Sequence, residues 1–97
     1  MTAEKLIEST RTDAEPPASL NPALRALWLS KAGRWDEAHE ACQLIADPIG
    51  AWIHAHLHRE EGDLGNAAYW YHRAGKSVPP RSMGIAEEWS QLVQQLG

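Results

Sequence analysis

Three of the five histidines fall within five residues, at His54, His56 and His58, and the spacing gives them different surroundings. On a helix, residues four apart share a face, so His54 and His58 project together while His56 points elsewhere. Two imidazoles so placed can hold a metal ion once a third ligand arrives, and Glu61 and His72 are the conceivable candidates. The zinc-hydrolase pattern fails, because a catalytic glutamate should follow the first histidine and Ala55 occupies that place. A histidine pair without a carboxylate or cysteine at a known motif spacing reads first as hydrogen-bonded or solvated. The sequence therefore requires no metal and no other cofactor.

Around these histidines the chain is dense in polar and aromatic groups: Arg59, Asn66, Tyr69, Trp70, Tyr71, His72 and Arg73 follow within fifteen residues. One reading is a buried polar network that fixes helix register, with His58 and Tyr71 facing each other and hydrogen-bonded together or to a backbone carbonyl. The functional reading is a site for a small anionic or aromatic ligand, built from His54, His58, Trp70 and Arg73, with Arg59 as a second cation. Cys42 and His39 lie three apart, a spacing open to a nucleophile and its base. Cys42, however, falls in an apolar stripe with Ala38 and Ile45, where a thiol is inert. No phosphate loop, paired-carboxylate arrangement or Ser-His-Asp pattern is present, and Glu60-Glu61 and Glu87-Glu88 read as solvated faces. We expect no catalysis.

These residues need helices to position them, and the helices come in pairs. Ala26 to Cys42, with Gly33 and Ala38, recurs as Ala55 to Tyr71, with Gly62 and Ala67; the two glycines stand 29 residues apart. Such self-similarity marks stacked helical hairpins. Asn21-Pro22 supplies a capping side chain followed by the residue best tolerated in a first turn, and Asp47-Pro48 repeats the device. Helices stop at Gly33, Gly62 and Gly75, the first helix of the second hairpin being nearly one turn longer than that of the first. Small residues at Ala26 and Ala38, and at Ala55 and Ala67, are the expected crossing points. Pro16-Pro17 excludes regular helix between residues 11 and 19, so residues 1–19 read as a short helix or disordered lead plus a linker, and residues 20–97 as a single helical domain. Ile85, Trp89, Leu92, Val93 and Leu96 describe a last amphipathic helix that would cover the open end of the stack.

The block Gly62-Asp63-Leu64-Gly65-Asn66-Ala67, with Tyr71, Ala74 and Pro79 downstream, resembles the second half of a tetratricopeptide repeat, and Gly33-Arg34-Trp35-Asp36-Glu37-Ala38 matches the same turn. Large apolar residues of that motif's first helix are replaced here by Pro22, Arg25 and Leu29, and by Ala51, His54 and His58. The repeat is also shorter than the usual length of about 34. The expectation is an all-α fold of two tetratricopeptide-like hairpins in a right-handed stack plus a capping helix. Residues 20–96 also resemble a group of small uncharacterised bacterial proteins, a resemblance that implies no activity.

The resemblance implies a protein-interaction module whose first helices line a concave surface with Leu27, Lys31, Trp52, His56 and Arg59. Trp52 or His56 is then expected to be solvent-accessible, since an exposed tryptophan beside arginine is the composition of a binding hot spot. Self-association through Ile85–Leu96 is a further possibility for such a helix. With 13 acidic against nine basic residues the formal charge is −4, and no basic run exists. Nucleic acid and anionic membranes are accordingly poor partners. One cysteine allows no internal disulfide, no stretch has the length of a membrane span, and Glu4 and Glu8 stand where a leader would need an apolar run. The expectation is a reduced cytoplasmic protein of bacterial type, with Trp28, Trp35, Trp52, Trp70 and Trp89 filling much of the core.

Overall fold

Local signals decide where the helices begin and end. The computed structural model describes residues 1–97 and contains six helices and no strand: α1 (Ala3–Thr12), α2 (Pro22–Lys31), α3 (Trp35–Gln43), α4 (Ile49–Glu61), α5 (Leu64–Ala74) and α6 (Ile85–Leu96). Asn21 Oδ1 accepts the Leu24 N–H at 2.8 Å ahead of Pro22, which closes one of the unpaired donors of the first turn. Gly33 and Gly62 both take left-handed backbone, at φ +80° and +89°, where a Cβ would be strained. Their turns let the next N–H reach back, Arg34 to the Leu29 carbonyl and Asp63 to that of His58, each at 2.9 Å. Asp47 departs from expectation. It caps nothing; its carboxylate pairs with Arg73 Nε at 3.0 Å, and α4 starts after Pro48 without a side-chain cap.

Helix α2 packs on α3 and α4 on α5, with α3 against α4 joining the two pairs. Ala26, Ala38, Ala55 and Ala67 are all buried, at 2 % exposure or less. Helix α4, 13 residues against 10 in α2, is the centre of the molecule and packs on α2, α3, α5 and α6. Every residue from Gly50 to His58 is consequently buried. A helix enclosed on all sides has no solvent face, so all three of its histidines are interior.

Helix α6 does not prolong the stack. It lies on α4, α2 and α1 and makes no backbone approach to α5, so it covers the first helix of each packed pair. Trp89 anchors it, its indole N–H donating to the Leu27 carbonyl at 2.8 Å, and Asn21 Nδ2 donates to the Leu96 carbonyl at 3.0 Å. Helix α1 packs beside it on α2, where Ser9 Oγ accepts the Trp28 indole N–H at 3.0 Å. No helix is long and apolar enough to cross a membrane.

Candidate functional site

The five residues expected to line a partner groove are engaged within the chain. Leu27 and His56 have no exposed surface and Trp52 is 8 % exposed, so the expected accessible tryptophan or histidine is not found. Lys31 Nζ lies 4.4 Å over the Trp89 ring, and Arg59 donates to Glu88 Oε1 at 3.2 Å and to the Met83 carbonyl. The reason is the position of α6: an apolar face created by two first helices buries the nearest amphipathic helix, and the chain supplies one.

Glu88, expected on a solvated face, is 2 % exposed and sits between α4 and α5. Its carboxylate accepts from His56 Nδ1 at 2.6 Å, from Arg59 and from the Tyr71 hydroxyl. Burial alone would raise the Glu88 carboxyl, but these donors together hold it below its ordinary range. Burial, then the hydrogen bond to Glu88, pushes the Tyr71 hydroxyl well above its ordinary value. His56 Nε2 is buried without a partner. Tyr71 thus pairs with Glu88 and not with His58, contrary to the register expected from the repeat.

On the opposite side of α4 stands a different cluster. His54 and His58 are stacked with centroids 4.8 Å apart and planes 26° from parallel, as their spacing requires. His39, reaching across from α3, meets His54 edge-on, Nε2 to Nε2 at 2.8 Å, and lies 5.4 Å from the His58 centroid. His58 Nδ1 donates to Glu61 Oε1 at 2.7 Å. Two indoles close the ends: Trp35 stacks on His39 at 4.9 Å and Trp70 on His54 at 3.9 Å. Trp35 is itself pinned, its indole N–H donating to the Leu57 carbonyl at 2.8 Å. Burial, with His39 and His58 adjacent, pushes the His54 imidazole down to about 4, and burial, then His58, lowers His39. Both rings are neutral at pH 7.

His54, Trp70 and Arg73 also converge on one cavity of about 330 Å³ between α3, α4 and α5, whose remaining wall includes Cys42, Ile45, Asp47 and Ala51. The guanidinium of Arg73 lies 5.3 Å over the Trp70 ring. Arg59 is not part of this site, because it is committed to Glu88 on the far side of α4. Cys42, 1 % exposed and donating to the His39 carbonyl at 3.1 Å, has a thiol that burial pushes up to about 12. It contributes packing and no thiolate.

His39 is the site residue that sequence reasoning missed, having paired it with Cys42. The available signal was the four-residue spacing of Trp35 and His39, an aromatic–imidazole stripe on the helix that precedes α4. His72, considered as a third ligand, is exposed and outside the cluster, and Glu61 serves as partner to a single imidazole. Comparison with known proteins finds no matching family model, no similar curated protein and no similar solved structure.

Proposed function

We propose that the chain is a non-enzymatic small-ligand-binding protein with its site in the cavity between α3, α4 and α5. One observation carries the reading: His54, Trp70 and Arg73, from two different helices, converge on a single space of about 330 Å³. That size falls at the small end of ligand pockets, and the wall combines an apolar floor with a few directed polar groups, as such sites do. Trp70 supplies an apolar ring, Arg73 a guanidinium, and the neutral His54 a hydrogen bond. The ligand class that fits is a small ring bearing a carboxylate or phosphate. Asp47 now holds Arg73, with both side chains about half exposed. An exposed pair of this kind contributes about 1 kcal/mol or less, so a ligand anion can take its place at little cost.

The test is a thermal-shift and tryptophan-fluorescence screen of small aromatic acids against their uncharged amides. Acids raise the melting temperature, amides do not, and Arg73→Ala removes the response. A panel of acids without effect, or a response that survives in Arg73→Ala, rules the reading out.

Protein interaction, the role implied by the tetratricopeptide resemblance, keeps one supporting observation elsewhere. Leu64 and Val78, 65 % and 57 % exposed, border a groove of about 320 Å³ shared with Arg59, Tyr71 and Arg81. Apolar side chains beside arginine suit an acidic peptide with apolar anchors. If partners captured from the native cell are retained by a chain carrying both Leu64→Asp and Val78→Asp, that surface is not used.

A further inference from the structure

We infer that His39, His54 and His58 form a binding site for one divalent transition-metal ion of the zinc class, with Glu61 orienting His58. The inference goes beyond the ligand cavity: it shares His54 with it and requires no organic ligand.

The donor geometry is nearly assembled. One nitrogen from each of the three imidazoles lies within 4.8 Å of the others. Two come from one face of α4 and the third from α3, so the chelate bridges the two helix pairs. An ion held at about 2.0–2.1 Å from each nitrogen in tetrahedral geometry keeps those nitrogens about 3.3 Å apart. The His39 to His54 separation is 2.8 Å, the length of a hydrogen bond between two ring nitrogens. Admitting the ion therefore asks His39 to withdraw from His54 by about half an ångström, and His58, whose nitrogen lies within 4.8 Å of the other two, to settle at the same spacing of about 3.3 Å. The His39 ring is able to withdraw, because it is only half-buried while His54 is held in the interior.

The surroundings are those of a supported ligand set. His58 donates its Nδ1–H to Glu61 Oε1 at 2.7 Å, which fixes the tautomer and leaves the Nε2 lone pair for the ion. Asp63 brings a second carboxylate to the Glu61 side of His58, its oxygen within 4.8 Å of a His58 nitrogen. Asn66 Nδ2 approaches His58 Nε2 at 3.4 Å and, being exposed, swings clear. Trp35 and Trp70 clamp the rings of His39 and His54 from outside by stacking, so the chelate needs little further ordering. An all-imidazole set selects Zn²⁺, Co²⁺, Ni²⁺ and Cu²⁺ over Mg²⁺ and Ca²⁺. Three protein donors leave a fourth position for water.

The test uses the full chain, stripped of metal by a chelator. Titration with Co²⁺ is followed by the d–d absorption of a tetrahedral complex, and with Zn²⁺ by calorimetry. The expected result is one ion per chain, a melting temperature that climbs with Zn²⁺ concentration, and no response to Mg²⁺. His39→Ala, at the accessible edge of the cluster, should weaken Zn²⁺ binding by 100-fold or more while the metal-free protein keeps its helical circular dichroism. Glu61→Gln should weaken it by about 10-fold or more, the usual range for an outer partner of a ligating histidine. His72→Ala should leave it unchanged. No stoichiometric Zn²⁺ heat in the full chain overturns the inference, as does equal affinity in folded His39→Ala. Arg73→Ala separates the two sites, since it abolishes the response to aromatic acids and leaves Co²⁺ binding intact.

Discussion

Helix α4 carries two interior polar clusters on opposite sides, and they are closed in opposite ways. Toward α6, His56 meets an acid: Glu88, with Arg59 and Tyr71, completes a network whose donors converge on one carboxylate. Toward α3, His54 meets another base, His39, and the only carboxylate in hydrogen-bond contact belongs to Glu61 behind His58. Charge complementarity makes the first cluster a fastener for α6. The second has two ring nitrogens sharing one N–H proton beside a cavity, and a cation bound there would replace that proton. Alternation along five residues of one helix thus separates a histidine bonded to Glu88 from two that stack together beside His39.

The largest effect that tests this contrast is loss of the fastener. Glu88→Ala leaves the interior Arg59 and Tyr71 without their acceptor and should destabilise the fold by about 3–5 kcal/mol, read from urea unfolding. If it costs under about 1 kcal/mol, the α6 side is no more structural than the other.

Acidification sharpens the comparison next. The Glu88 carboxyl is held below its ordinary value of 4.5, so the folded state binds fewer protons there than the unfolded chain. Its contribution to stability is complete above pH 4.5 and is lost as pH falls through the lower native value. His54 is lowered from 6.5 to about 4, so metal-free protein should lose stability from pH 6.5 downward on this account, before Glu88 begins to titrate. Melting temperature against pH should decline in two stages, and Glu88→Gln should shrink the lower one, to which Glu15 and Glu37 beside Arg34 also contribute. A single stage below pH 4.5 would contradict the lowered His54.

The smallest effect concerns the frame of the imidazole cluster. Trp35→Phe keeps a ring against His39 but removes the N–H that donates to the Leu57 carbonyl, and should cost about 1 kcal/mol in unfolding free energy. It should also loosen Zn²⁺ binding by several-fold with unchanged stoichiometry. An unchanged affinity would mean that the indole fills space without holding His39.

Much of the scaffold was legible because its signals are local. Asn21 before Pro22 and Gly33 and Gly62 at the turns act within four residues, through hydrogen bonds or torsions that a short peptide already possesses. The shared face of His54 and His58 was legible for the same reason. Asp47 misled because it has a choice: its carboxylate pairs with Arg73, 26 residues onward, instead of capping the adjacent helix. Glu88 misled because charge in an amphipathic pattern ordinarily marks the wet side, whereas here the helix carrying it settles on a face that offers His56, Arg59 and Tyr71.

By itself, then, the amino-acid order determined the helices, their turns and which histidines look the same way, since those depend on backbone sterics and a periodicity of 3.6 residues. Only the tertiary structure decided that α4 is enclosed, that α6 packs on α4, α2 and α1, and that His39 joins His54 and His58. Those outcomes depend on which surfaces bury one another, a competition among segments far apart in the chain that no single stretch encodes.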